Sequence, residues 1–142
     1  MLPGNMPLSP TENARRTRAL VVDDDDAAVD HVTNVLHRLG FDVEKAFDGL
    51  DALRRCQSVT YDIIVCDVRM PRLSGLSLLS NLRNTQNSVT RVVMISALED
   101  PSVRRQALAS GAAVYLVKPL NAQMLVEAIA GPNILHKEDQ IE

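Results

Sequence analysis

From Ala19 onward the chain alternates, five times over, between a short Val- and Ile-rich run and a longer segment with helical periodicity. Few folds accommodate that order. Runs apolar on both faces read as buried strands, here Ala19–Val22, Ile63–Cys66, Val92–Ile95 and Ala113–Val117. Phe41–Ala46 alternates instead, as expected at a sheet edge. The segments between them carry helix punctuation. Asp26 is expected to cap a first helix whose Val29, Val32, Leu36 and Leu39 share a face, with Gly40 ending it. Asp48 opens a second helix through Ala52, Leu53 and Cys56, and Ser74 a third with Leu76, Leu79 and Leu82. Asp100 followed by Pro101 is a cap with an N1 proline, and Gly111 closes that fourth helix. Asn121 opens a fifth through Met124, Leu125, Ala128 and Ile129, stopped by Gly131-Pro132. Five β-α units with right-handed crossovers predict an α/β fold: a doubly wound, five-stranded parallel sheet with helices on both faces. Its ligand site lies beyond the carboxyl ends of the strands.

Composition narrows the function. A length of 142 residues fits one domain, and the 46% apolar content is enough for a core. No apolar run reaches the roughly 20 residues of a membrane span, and no basic stretch leads into an apolar core at the N-terminus. The net charge of −3 and an aromatic content of 3% argue against a nucleic-acid surface. Cys56 and Cys66 lack metal-ligand spacing and are too few for a disulfide scaffold, so a reducing, cytoplasmic setting is expected. Residues 1–18, with three of the seven prolines and a basic excess, read as a flexible arm; 19–130 read as the folded domain and 131–142 as a tail.

The chemistry collects at the strand ends. Strand 1 runs into Asp23 and Asp24, strand 3 into Asp67, strand 4 into Ser96 and strand 5 into Lys118-Pro119. In a parallel sheet these ends share one edge. Two anions 4 Å apart repel by roughly 4 kcal/mol at an effective dielectric near 20, so three carboxylates call for a cation. An all-oxygen, incompletely filled site suits Mg²⁺. Lys118 makes sense beside it if an anion such as a phosphoryl group also binds. No glycine-rich phosphate loop follows strand 1; four aspartates, Asp23 to Asp26, stand there. Asp25 and Asp26 are read as loop and helix cap.

These residues resemble the receiver domain of two-component response regulators. The matching stretches are Val21-Val22-Asp23-Asp24, Asp67-Val68-Arg69-Met70-Pro71, Met94-Ile95-Ser96-Ala97 and Lys118-Pro119, with Ala46-Phe47-Asp48-Gly49-Leu50-Asp51-Ala52-Leu53 at the second helix. The resemblance implies a flavodoxin-like (βα)5 fold of strand order 2-1-3-4-5. It implies that Asp67 accepts a phosphoryl group from a sensor histidine kinase, a histidine phosphotransfer protein or a small phosphodonor. Mg²⁺ would be held by Asp24, Asp67, the Arg69 backbone carbonyl and, through water, Asp23. Lys118 and Ser96 would bind phosphoryl oxygens, Ala97 would leave room, and Tyr115 would be the switch aromatic. Arg69 and Leu98 would flank the phosphoryl group and slow its hydrolysis. The output would be a shift of the helix 4–strand 5–helix 5 face, with no enzyme activity beyond self-phosphorylation and dephosphorylation. Only about a dozen residues, Gly131 to Glu142, follow the fifth helix, too few for a DNA-binding or enzyme domain, so a single-domain receiver is expected, read by a downstream protein effector or a second copy with no direct DNA or membrane contact.

Other residues take plainer readings. Cys56 and Cys66 are expected to be buried and inert, His31 and His37 to lie on the surface, and Arg104 and Arg105 to form a solvated face or meet acids on a partner. Three rivals stay open: a receiver cut from a longer regulator or hybrid kinase, a phosphorylation-independent pseudo-receiver, and an aspartyl phosphohydrolase. The last would want an acid two residues past Asp67, where Arg69 stands.

Overall fold

The computed structural model describes residues 17–131. The arm expected over 1–18 and the tail over 131–142 therefore lie almost wholly outside the described residues. Ten elements follow one another: β1 Arg18–Val22, α1 Asp26–Arg38, β2 Asp42–Ala46, α2 Gly49–Ser58, β3 Ile63–Asp67, α3 Gly75–Leu82, β4 Arg91–Ser96, α4 Pro101–Ala109, β5 Val114–Val117 and α5 Ala122–Ala130. The strands form one parallel sheet in the order β2-β1-β3-β4-β5. This is the doubly wound α/β fold that the alternation predicts.

Each sheet face has its own apolar layer. Leu20, Val22, Ile64, Cys66, Val92 and Met94 point to one side, where α2, α3 and α4 cover them with Ala52, Leu78, Leu82 and Ala107. Ala19, Val21, Ile63, Val65, Val93 and Ile95 point to the other, beneath Val29, Val32 and Leu36 of α1 and Leu125 and Ile129 of α5. The period-2 pleat explains the split: β1 and β3 are buried on both faces because both sides are roofed. The edge strand β2 carries only one fully buried residue, Ala46.

Caps at Asp48, Ser74, Asp100 and Asn121 stand where expected; their side chains accept from Asp51, Ser77, Ser102 and Met124 N–H groups. The first helix differs by one residue. Asp25, not Asp26, is its N-cap and accepts from Ala27 N–H at 3.2 Å, while Asp26 lies in the first turn. Either position favours an anion beside the helix dipole, so four identical residues hide the register. Leu39 also departs from expectation. It is the C-cap and is 38% exposed, because Gly40 (φ +94°) turns the chain there and Phe41 packs inward instead.

Candidate functional site

Register brings the expected residues to one edge. Val22 pairs with Cys66, so Asp23 and Asp67, the next residues, leave adjacent strands side by side. Asp67 pairs with Ile95, and Ser96 with Val117, which places Ser96 and Lys118 further along the same edge. The Lys118 N–H donates to the Ser96 carbonyl at 2.8 Å, and Val68 N–H to the Ile95 carbonyl at 2.8 Å, so the strand ends are fastened to each other beyond the regular ladder.

Carboxylate oxygens of Asp23, Asp24 and Asp67 lie within 4.8 Å of one another, the one cluster with metal-ligating potential among the described residues. Asp23 and Asp67 are buried and Asp24 is exposed. Lys118 Nζ stands 3.0 Å from Asp23 Oδ2 and 3.8 Å from Asp67 Oδ1. Three carboxylates thus face one ammonium, which leaves two negative charges uncompensated. Burial first, and then Asp23, push the Asp67 carboxyl up to about 6, with Lys118 opposing them. Burial works against the Lys118 ammonium, but its bond to Asp23 and the charges of Asp23 and Asp67 outweigh that and raise its pKa. Hard oxygen donors, a net negative charge and one exposed, open side fit a divalent cation of the Mg²⁺ kind, which keeps waters and few protein ligands.

The loop after β3 is held by close packing. A side chain at Gly75 would collide with the Asp67 carbonyl, and one at Gly49 with the Leu73 carbonyl. Gly75 N–H donates to the Val68 carbonyl at 2.7 Å. These glycines let α3 and α2 press the loop that carries Arg69 against the site. Sequence reading missed both roles. The signal was present, since glycine just after a helix cap is a poor helix former and implies close approach. Arg72 was missed too: it adopts φ +74° and pairs with Asp48 at 3.6 Å.

Arg69 is exposed two residues past Asp67, and Ala97 and Leu98 are exposed just past β4. Ser96 Oγ accepts from Leu98 N–H at 3.1 Å. Tyr115 is buried, and its hydroxyl donates to the Leu98 carbonyl at 3.3 Å. Cys66 and Cys56 are buried as expected; burial pushes the Cys66 thiol up and the Cys56 thiol up to about 12. Cys66 Sγ–H donates to the Asp67 carbonyl at 3.2 Å. His37 is exposed, but His31 is not the surface residue expected. Its Nε2 is buried, and His31 lines an open pocket of about 300 Å³ together with Lys118, Pro119 and Leu120 of the β5–α5 loop. Helical periodicity within α1 carries no information about that loop.

The profile of the response regulator receiver domain matches residues 19–130. The chain belongs to the response regulator receiver family. A gliding motility regulatory protein of Myxococcus xanthus is 40% identical over 126 residues, 87% of this chain and 16% of the relative. The transcriptional regulatory protein PrrA of Mycobacterium leprae is 40% identical over 113 residues, 80% of this chain and 47% of the relative. The chain therefore spans less than half the length of either curated relative. The receiver domain of the Francisella response regulator 1452 superposes with a TM-score of 0.74 at 37% identity, covering 87% of this chain and 99% of that one. Receivers are signalling modules of two-component systems. They bind Mg²⁺ at an acidic pocket and interact with sensor kinases and effectors. Among the described residues no helix is long and apolar enough to cross a membrane.

Proposed function

We propose that Asp67 is the phosphoacceptor of this receiver. The observation that carries the reading is the meeting, at one sheet edge, of a buried Asp67 with Asp23, Asp24 and the Lys118 ammonium. One Asp67 oxygen attacks the phosphorus of a phosphohistidine on a sensor kinase or phosphotransfer protein. The P–N bond breaks as the O–P bond forms, and the imidazole leaves with the electron pair. Asp24, Asp67, the Arg69 carbonyl and, through water, Asp23 would hold Mg²⁺. When bound, it supplies charge neutralisation at the phosphoryl oxygens during in-line transfer.

The protein's own groups do the rest. Lys118 pairs with a phosphoryl oxygen, exchanging part of its contact with Asp23. Ser96 donates its hydroxyl proton to another while still accepting from Leu98 N–H, so its movement carries the loop after β4. Ala97 leaves room. Tyr115 reads the loop through Leu98, and the α4–β5–α5 face passes the change to a protein partner in the cytoplasm, not directly to DNA or a membrane. A second copy bound through the same face is one form that partner takes. Arg69 and Leu98, both exposed at the mouth, hinder the attacking water.

Intact mass after incubation with Mg²⁺ and acetyl phosphate tests the acceptor. One phosphoryl adduct is expected, and it should vanish in Asp67→Asn. No adduct with partner binding retained would mark a pseudo-receiver, and multiple turnover of phosphate esters a hydrolase. Loss of the adduct with time tests the shield: Arg69→Ala and Leu98→Ala should both speed it, and unchanged or slower loss in both defeats that part.

A further inference from the structure

Arg104 on α4 is exposed, as expected of a solvated face, and its guanidinium also meets an aromatic ring. Arg104 Cζ lies 5.6 Å from the centroid of the Tyr115 ring, within cation–π range. Its Nη1 also reaches Glu99 Oε1 at 4.0 Å, a weak and exposed contact that orients the guanidinium more than it stabilises anything. The ring is buried, with its hydroxyl on the Leu98 carbonyl. Leu98 is thus bonded at both ends of its own backbone, to Ser96 through N–H and to Tyr115 through C=O.

We propose that Arg104 is a positioning residue: by stacking on Tyr115 it holds the ring inward, on Leu98, before any phosphoryl group arrives. The resting molecule then already leans toward the arrangement that phosphorylation favours, and the loop needs less rearrangement when Ser96 is drawn in. The inference rests on the reading of Asp67 as acceptor and Tyr115 as switch ring. A partly exposed cation–π contact biases a two-state ring by about two- to fivefold. Arg104 therefore sets the resting population, and Asp67 chemistry shifts it from there.

Fluorine NMR of the full chain with 3-fluorotyrosine tests this. Two resonances arise, from Tyr61 and Tyr115, and Tyr115→Phe assigns them. The shift between H₂O and D₂O reports exposure of each ring without any ligand. In Arg104→Ala and Arg104→Met the Tyr115 ring should become more exposed, and its resonance should move away from the position it takes with saturating Mg²⁺ and beryllofluoride. The apparent affinity for beryllofluoride with Mg²⁺ should fall about two- to fivefold, and Arg104→Lys should restore most of both. Tyr115 exposure and beryllofluoride affinity unchanged in Arg104→Ala would overturn the proposal. So would Arg104→Met behaving as wild type, because packing of the stem rather than the charge would then hold the ring. If the wild-type protein binds no beryllofluoride, the acceptor reading fails separately, and the ligand-free exposure of Tyr115 still decides the role of Arg104.

Discussion

Asn87 and Asp67 are both buried polar residues, one in the turn before β4 and one at the carboxyl end of β3, and their surroundings could hardly differ more. Asn87, 1% exposed, precedes β4 at the amino edge. Its Oδ1 accepts from Tyr61 N–H at 2.8 Å and Thr90 Oγ1 at 3.0 Å, and its Nδ2 donates to the Cys56 and Val59 carbonyls at 2.8 Å each. Every hydrogen-bonding position of the amide is used. Asp67, 7% exposed at the carboxyl edge, faces two more carboxylates and shares one ammonium that sits closer to Asp23. A satisfied buried group fixes one structure. An uncompensated one leaves a place for a cation and an incoming anion. The two edges should therefore respond to substitution with opposite signs.

The largest effect is expected at the satisfied edge. Asn87→Ala strands the Tyr61 N–H and the Cys56 and Val59 carbonyls, which gather the α2–β3 and α3–β4 connections, while the Thr90 hydroxyl keeps the Tyr61 carbonyl at 2.9 Å. It should cost on the order of 3–5 kcal/mol in urea unfolding. A loss below about 1 kcal/mol would mean that water replaces the amide easily and that the edges do not differ as described.

Asp67→Asn should go the other way. With the folded carboxyl at about 6 and the ordinary value at 3.8, burial and Asp23 disfavour the ionised form. The sign follows from linkage. The contribution of Asp67 to stability is full below about pH 3.8 and is lost as pH rises through about 6. At pH 7.5 without divalent ions the ionised side chain therefore destabilises the fold, and Asp67→Asn should gain about 2–3 kcal/mol. The gain should disappear toward pH 3.5. Paired urea curves of wild type and variant across that range check it, and a variant less stable than wild type at pH 7.5 would show that Lys118 already balances the cluster.

Mg²⁺ should narrow that gap. At ten times its dissociation constant it should stabilise the wild type by about 1.4 kcal/mol at pH 7.5, and Asp67→Asn by much less. Thermal unfolding with Mg²⁺ and then with excess chelator reads both. Equal stabilisation of the two proteins would place the ion away from Asp67.

The difference between the edges also sets what the sequence discloses. Strands, helices and caps were legible because each rests on a local pattern: the period-2 and period-3.6 repeats and an Asp, Ser or Asn before each helix. The meeting of Asp23, Asp67, Ser96 and Lys118 was legible because a parallel sheet sends all its carboxyl ends to one side. Contacts set by the third dimension were not. Nothing near Asn87 in the chain announces Cys56 and Val59, about thirty residues earlier. Arg104 is solvated as expected, but its contact with a ring could not be read because that ring belongs to β5. His31 looked exposed because its neighbour is the β5–α5 loop. The cap at Asp25 was missed by one place because four identical side chains carry no register.

The smallest effect asks whether the carboxyl edge is strained in its backbone as well as its charges. Arg72 holds φ +74°, a conformation that costs a side-chain-bearing residue roughly 1 kcal/mol. Its pair with Asp48 at 3.6 Å is mostly exposed on the arginine side and returns little of that. Removing the pair while keeping the strain, as in Arg72→Ala, should lower stability by about 0.5 kcal/mol. Arg72→Gly loses the same pair but relieves the strain, so it should be more stable than Arg72→Ala by about 1 kcal/mol despite the freer unfolded chain. Urea unfolding of the two variants side by side resolves the difference. If glycine is the less stable of the two, the backbone of this loop is unstrained, and the contrast between the edges is one of charge alone.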